Sequence, residues 1–180
     1  MSFLINSYVF AGVTPSVIWY ADYSGSGGYE IERTETSTLP VSGDTYYLGT
    51  NNNGASNAIE TDAPSWDTGT SDGSWTITAE SVSKSDGAWG VNYIFGKSAL
   101  GSANQTITEI ISSNTSAAYW IGFLRSSDLS PTRNSEEVCR YGWYLDNGGG
   151  YTTPLLNGVG IGNTGAWTTS SKFKIEILLT

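Results

Sequence analysis

Apolar residues recur at every second position along several parts of this chain, and clusters of Gly, Asn, Asp and Ser interrupt the pattern at short intervals. In residues 172–177, phenylalanine and isoleucine alternate with lysine and glutamate, and residues 75–80 and 91–95 alternate in the same way. Successive side chains of a β-strand point to opposite faces, so this spacing predicts strands with one buried face. The 3.6-residue spacing of an amphipathic helix does not occur over any useful length. The chain is therefore predicted to be all-β.

Two segments, residues 119–124 and 139–145, are apolar at consecutive positions. Such segments are typical of central strands that are covered on both faces, either by a second sheet or by another subunit. The sequence Asp-Asn-Gly-Gly-Gly at 146–150 follows the second of them and contains several residues that accept positive φ. We therefore predict that residues 146–150 form the turn of a hairpin and that both segments lie in the core.

Residues 49–73 lack periodicity and are rich in turn formers, which predicts a long surface loop that carries a short strand. Elsewhere, short strands recur with turn signals about every 8–12 residues, a pattern typical of a two-sheet antiparallel β-sandwich. The length favours a jelly roll. We assign residues 13–180 to a single sandwich domain and residues 1–12 to an N-terminal arm or first strand.

Charge is distributed unevenly along the chain. The formal net charge is −9, and it arises in residues 1–80, which hold ten acidic residues and one basic residue. This acidic part either faces a basic partner or keeps the protein in solution. The balance leaves no basic surface for nucleic acid, so no nucleic-acid partner is expected. Histidine is absent, which excludes Ser-His-Asp catalysis.

The N-terminal arm is too apolar to remain exposed to water and needs a partner surface. We name as its assembly residues Phe3, Leu4, Ile5, Tyr8 and Phe10. The arm is either a strand of this domain or a segment that docks on a neighbouring subunit. It lacks the features of a signal peptide, and no apolar run is long enough to predict membrane insertion. The lone Cys139 excludes an intramolecular disulfide and has apolar neighbours, which favour burial.

Seven Trp and eleven Tyr residues make aromatic rings the most suggestive binding groups of the sequence. A flat ring flanked by amides and carboxylates suits a sugar ring. Trp75, Trp120 and Trp143 fall in predicted strands and are expected to be buried. Four aromatic residues lie beside Gly, Asp or Ser and are the candidates for carbohydrate binding: Trp66, Trp89, Tyr151 and Trp167. The alternative is that these rings cap the ends of the sandwich core.

Two groups of acidic residues suggest other chemistry. On a strand, Glu30 and Glu32 would share one face, and paired carboxylates serve as nucleophile and acid in retaining glycosidases. The string 30–35 resembles the E-x-D-x-x-E signature of laminarinase-like glucanases, with glutamate in place of the aspartate, and this resemblance makes Glu30 and Glu35 candidates. The alternative is an edge strand whose charges prevent edge-to-edge pairing.

Calcium is the one cofactor for which the predicted loops supply ligands. Asp62, Asp67 and Asp72, with asparagines at 51–53, supply the hard oxygen ligands that calcium prefers, but their spacing is not that of an EF-hand. Turn formation explains the same residues. We therefore expect no obligatory cofactor or metal.

Four stretches carry a resemblance to known proteins. The opening MSFLINSYVF resembles the first residues of many bacteriophage structural and tail proteins. The stretches at 119–123, 141–148 and 172–177 are similar in rhythm to concanavalin-like and SPRY-type jelly rolls. The resemblance implies a homo-oligomeric virion component, most simply a trimer, that attaches to other capsid or tail proteins through the arm and exposes its loops, which in such proteins often recognise host-surface glycans.

The sequence therefore favours a non-enzymatic virion structural protein, either a capsid decoration protein or a fibre-type appendage. The apolar arm suits decoration, whereas aromatic loops suit a receptor-binding tip. A free carbohydrate-binding lectin is the second hypothesis, and a glycoside hydrolase that uses Glu30 and Glu35 is the third.

Overall fold

The computed structural model describes residues 16–36, 46–52, 57–60, 66–67, 75–77, 81–84, 94–96, 105–112, 118–129, 138–146 and 150–178. The regular elements among these residues include β-strands and the 3-10 turn Ser126–Asp128. The strands are β1 Ser16–Asp22, β2 Glu30–Glu35, β3 Tyr46–Asn52, β4 Asn57–Glu60, β5 Trp66–Asp67, β6 Trp75–Ile77, β7 Ser81–Lys84, β8 Ile94–Gly96, β9 Gln105–Ser112, β10 Tyr119–Arg125, β11 Cys139–Leu145, β12 Thr152–Leu156, β13 Val159–Gly160 and β14 Lys172–Leu178.

The strands form two antiparallel sheets of seven strands each. Sheet 1 has the order β2-β1-β14-β9-β4-β7-β6, and sheet 2 has the order β13-β12-β11-β10-β3-β8-β5. The chain crosses repeatedly from one sheet to the other, as in jelly rolls. The predicted all-β sandwich is thus confirmed, and within the described ranges no α-helix occurs.

The main core lies between the two sheets. Sheet 1 contributes alternate residues of β1 and β14, and in β14 the burial alternates along the whole strand as the sequence predicted. Two tryptophans bridge the sheets: the Trp19 indole N–H donates to the Gly142 carbonyl at 2.7 Å, and the Trp143 indole N–H donates to the Lys174 carbonyl at 3.2 Å. Burial of apolar area against the facing sheet, together with these bonds, stabilises the sandwich.

A second buried cluster lies on the outer face of sheet 2. Its buried members are Trp120, Leu124, Val138, Cys139 and Leu155. Burial on both faces of β10 and β11 confirms that segments 119–124 and 139–145 are central strands. The Cys139 thiol is fully buried, as predicted, and this burial raises its pKa far above the usual range. Trp120 and Trp143 are also buried as predicted, whereas Trp75 is only partly buried.

Two predicted connections have different outcomes. The strands on either side of residues 146–150 are antiparallel neighbours, with Leu145 opposite Thr152, whereas residues 147–149 lie outside the described residues. The segment 49–73 is not one long loop, since it contains the end of β3 together with β4 and β5. Its strands are short and rich in Asn, Thr and Gly, so they carry little of the alternation by which a strand is recognised. The arm 1–12 and its assembly residues lie outside the described residues.

The turn after β1 is organised by the carboxylate of Asp22. It accepts hydrogen bonds from the Ser24 hydroxyl at 2.7 Å and from the backbone N–H groups of Ser24, Gly25 and Gly27. Gly25 has a φ of 71°, and a Cβ at this position would collide with the Ser170 carbonyl. The turn therefore depends on a glycine and on an ionised carboxylate.

We expect stability to fall in acid through Asp22. The Ser24 hydroxyl, followed by the Gly27 and Gly25 N–H groups, lowers the pKa of Asp22 from its ordinary value of 3.8, against the opposing effect of burial. A lowered pKa stabilises the folded state above the ordinary value, and this contribution disappears as pH falls through the folded-state pKa. Unfolding of Asp22→Asn, followed by circular dichroism between about pH 2 and pH 4, should depend less on pH than that of the wild type. Ser24→Ala should change the profile in the same direction by less, and identical profiles for all three proteins would contradict the expectation.

Candidate functional site

An open cleft of about 650 Å³ lies on the outer surface of sheet 2, beside the second buried cluster. It is built from the end of the β11–β12 hairpin, from β13 and from the segment that follows β13. Its lining residues are Tyr144, Tyr151, Thr153, Leu155, Gly158, Gly160, Gly162 and Asn163. The volume is within the range of small-molecule binding sites. Every one of these lining residues is uncharged.

Two tyrosines form one wall of the cleft. The ring centroids of Tyr144 and Tyr151 are 6.0 Å apart, and the ring planes are inclined by 37°. The backbone N–H of Asp146 donates to the Tyr151 carbonyl at 2.9 Å, which closes the hairpin and holds the two rings side by side. The Tyr144 hydroxyl also lies 3.4 Å from a carboxylate oxygen of Asp146, at the outer limit of a hydrogen bond. Both rings are partly exposed.

A polar pair provides hydrogen-bonding groups next to the rings. The buried Thr153 hydroxyl donates to the side-chain oxygen of the exposed Asn163 at 2.9 Å. Register places Thr153 directly opposite Tyr144 on the neighbouring strand, so the pair lies beside the aromatic wall. Donors and acceptors fixed next to an aromatic face are the groups that orient a polar ligand.

Glycines keep the floor of the cleft open. A Cβ on Gly160 would lie 2.6 Å from the Thr153 methyl group, so a larger residue there would displace the polar pair. Gly162 has a φ of 121°, a backbone conformation that side chains disfavour. Its substitution would strain the segment that carries Asn163.

A network of hydroxyl groups anchors this segment to sheet 1. The Tyr23 hydroxyl lies 2.9 Å from the Thr152 hydroxyl and donates to the Thr164 hydroxyl at 2.5 Å. It also accepts a hydrogen bond from the Gly165 N–H at 2.8 Å. Tyr23 thus fixes residues 164 and 165, immediately after Asn163. The position of one polar group in the cleft therefore depends on a residue about 140 positions earlier in the chain.

The four predicted carbohydrate-binding residues do not form one site. Tyr151 lines the cleft. Trp167 does not lie on the surface as predicted. It is only 3% exposed, packs on Tyr119 in the main core, and donates its indole N–H to the Asp146 carbonyl at 2.7 Å. Trp66 contributes backbone to β5, and Trp89 lies outside the described residues. Trp167 instead caps the end of the sandwich core, which is the alternative that the sequence left open for these rings.

The glutamates of the string 30–35 lie on β2, at the edge of sheet 1 and away from the cleft. Register shifts between Trp19 and Tyr20, so Glu32 is the extra residue of a β-bulge. Its burial, followed by the charge of Glu30, raises the pKa of Glu32. A charged and bulged edge strand resists pairing with other sheets, which is the alternative that the sequence offered.

The calcium candidates are only partly described. Asp67 lies in β5, and Asn51 and Asn52 end β3, whereas Asp62, Asp72 and Asn53 lie outside the described residues. The portion of the chain that the structure covers contains no cluster of three or more acidic, Cys or His residues suited to a metal ion. The same portion has no helix of the length and apolarity needed to cross a membrane.

Sequence reasoning missed most of the cleft. The apolar segment 139–145 predicts that Tyr144 is buried, but its ring is partly exposed and forms part of the aromatic wall. Thr153 and Asn163 carry no distinguishing pattern. The one available signal was the proximity of Tyr144 and Tyr151 on either side of a predicted hairpin turn, which places their rings close together.

Comparison of the chain with protein-family models, with curated proteins and with solved structures found no match.

Proposed function

We propose that this protein is a non-enzymatic carbohydrate-binding β-sandwich that serves as an appendage of a bacteriophage virion. The observation that carries the binding part is the pair of adjacent tyrosine rings beside the Thr153 and Asn163 side chains in an open cleft. A pyranose has a face of C–H groups and a rim of hydroxyl groups. An aromatic wall next to fixed hydrogen-bonding groups complements both features.

The chemistry of the lining residues supports binding rather than turnover. Hydrolysis of a glycosidic bond ordinarily uses a pair of carboxylates that flank the bond. The described lining of the cleft consists of aromatic, hydroxyl, amide, aliphatic and glycine residues. The glutamates proposed for a glycoside hydrolase lie on the other sheet, so the cleft and these carboxylates do not form one site.

The test is a Tyr151→Ala variant. Removing one of the two rings should weaken glycan binding about tenfold, which corresponds to about 1.4 kcal/mol, because the stacking surface is lost. A glycan array followed by titration calorimetry on the best ligand measures this effect. Tyr151→Phe keeps the ring and should bind within about threefold of the wild type. Absence of binding by the wild type across the array, or equal affinities of all three proteins, would overturn the proposal.

The virion role is supported by the N-terminal sequence. The arm resembles the opening of phage structural proteins, and its apolar residues require a partner surface. The first described strand, β1, follows the arm closely and is next to the edge of sheet 1. The arm can attach to a neighbouring subunit or to another capsid or tail protein. The cleft lies on sheet 2.

The mass in solution tests this role. Light scattering should give a homo-oligomer, most simply a trimer, for the full chain and a monomer for a chain lacking residues 1–12. Circular dichroism should show that the shortened chain keeps its β-structure. A full chain that is monomeric would favour a free lectin over a virion component. Retention of the oligomer without residues 1–12 would show that another surface makes the assembly.

A further inference from the structure

We infer that the cleft selects uncharged glycans and rejects anionic ones such as uronates, sialylated chains and sulfated chains. The inference rests on the proposed function, because it names the class of ligand that the same cleft takes. The observation that supports it is the distribution of charged side chains around the cleft.

No positive charge is available to an anionic ligand along the described lining of the cleft. The two arginines described on sheet 2 both lie beside the carboxylate of Asp128. Arg125 makes two hydrogen bonds of 3.0 Å to the carboxylate of Asp128, and the guanidinium of Arg140 lies 4.0 Å from the same carboxylate. Lys174 is on sheet 1, where it pairs with Glu176 at 2.6 Å. An anion that entered the cleft would lose water without gaining a counter-charge, which is unfavourable.

Negative charge is present at the rim. The carboxylate of Asp146 lies 3.4 Å from the Tyr144 hydroxyl, so it is next to the aromatic wall. The protein as a whole also carries a formal charge of −9, which repels polyanions at a distance. A second negative charge at the rings is therefore disfavoured locally by Asp146 and over longer distances by the whole chain.

The groups present suit neutral sugars. Asn163 and Thr153 supply amide and hydroxyl groups that can exchange hydrogen bonds with sugar hydroxyls or with an acetamido group. The adjacent rings of Tyr144 and Tyr151 offer stacking faces to one sugar unit or to two consecutive units. Because the cleft is open, a unit within a longer chain can enter it.

The experiment compares glycans that are matched in linkage and length and differ by an anionic group. Hexasaccharides of β-1,4-linked mannose and mannuronate form one pair, and those of β-1,4-linked glucose and glucuronate form a second. A panel of N-acetylated and galactose-containing chains, each with a sulfated or sialylated counterpart, extends the comparison. The full-length protein is titrated with each probe at low and at high salt, so that repulsion by charge is separated from a difference in shape.

The expected result is that a neutral member binds and that its anionic counterpart binds at least about tenfold more weakly at low salt. High salt should reduce the difference. Asp146→Asn removes the local charge while keeping an oxygen at the same place, and it should lower the ratio of neutral to anionic affinity. Equal or tighter binding of the anionic members would overturn this inference and leave the carbohydrate-binding function standing. Failure of every probe, neutral or charged, would overturn both.

Discussion

Replacement of Trp19 by alanine should lower the free energy of unfolding by about 3–5 kcal/mol. Trp19 is fully buried between the sheets, and its ring meets Tyr141 edge-on with centroids 6.5 Å apart. The substitution leaves a large cavity. It also removes the donor that bonds the carbonyl of Gly142 across the sandwich. Urea denaturation of both proteins, monitored by tryptophan fluorescence, measures the difference.

Two further variants separate the causes. Trp19→Phe keeps much of the apolar volume but loses the indole N–H, so it should destabilise by an intermediate amount. Ile31→Ala is the control, since Ile31 is 65% exposed on the strand paired with β1, and its loss should change stability by no more than about 0.5 kcal/mol. Equal effects of Trp19→Ala and Ile31→Ala would show that the bridge between the sheets does not stabilise the fold.

The strands that the sequence predicts best are those whose two faces differ most. In β14, charged and apolar residues alternate without interruption, so the period of the backbone can be read directly. Continuous apolar sequence likewise identifies β10 and β11 as central. The pairing of the strands was not predictable. β1 and β14 are neighbours although they lie at opposite ends of the chain, and local periodicity contains no information about such partners.

The position of Trp167 shows a second limit. Its neighbours, Ala166 and Thr168, are exposed and belong to no strand, so the local sequence indicates a surface loop. The segment nevertheless folds over the end of the core, and the indole N–H finds an acceptor in the carbonyl of Asp146. Burial of an aromatic ring in a loop depends on tertiary packing, which composition does not reveal.

The sequence predicts one residue of the cleft, Tyr151, and misses the others because their positions also depend on tertiary packing. Tyr151 follows a strong turn signal, and the turn places it near Tyr144. Asn163 reaches the cleft because the chain turns back after β12 and then continues past β13 along β12, as shown by hydrogen bonds from Ile161 to Pro154 and from Thr164 to Thr152. The turn after β12 is marked by Asn157 and Gly158, which both have positive φ, but the continuation of the chain to Asn163 follows from packing and has no such signal.

Tyr23→Phe is expected to affect stability and glycan binding together. Loss of the Tyr23 hydroxyl leaves the Gly165 N–H without its acceptor and removes one partner from each of two threonine hydroxyls. The two threonines retain a hydrogen bond to each other, so the main cost is that of leaving the Gly165 N–H without an acceptor. We expect the free energy of unfolding to fall by about 2 kcal/mol. Thermal and urea denaturation measure this loss.

The binding part of this prediction concerns Asn163. With Tyr23 truncated, the segment after β13 loses its bond to sheet 1, and the amide of Asn163 is held less firmly beside the rings. Glycan affinity should therefore fall about threefold to tenfold at a temperature where the variant is fully folded. Calorimetry should show the loss as a greater entropic cost, because the segment is ordered only when the glycan binds.

Tyr20→Phe is the matched control for this effect. It removes the same hydroxyl group from the same part of the chain, but the Tyr20 hydroxyl donates to Glu176 at 2.8 Å on sheet 1, far from the cleft. Glycan affinity should remain that of the wild type. If both phenylalanine variants lose affinity equally, a general loosening of the fold explains the result. If neither does, the cleft does not depend on the hydroxyl network. Loss in Tyr23→Phe alone would establish that sheet 1 holds the binding surface of sheet 2 in place.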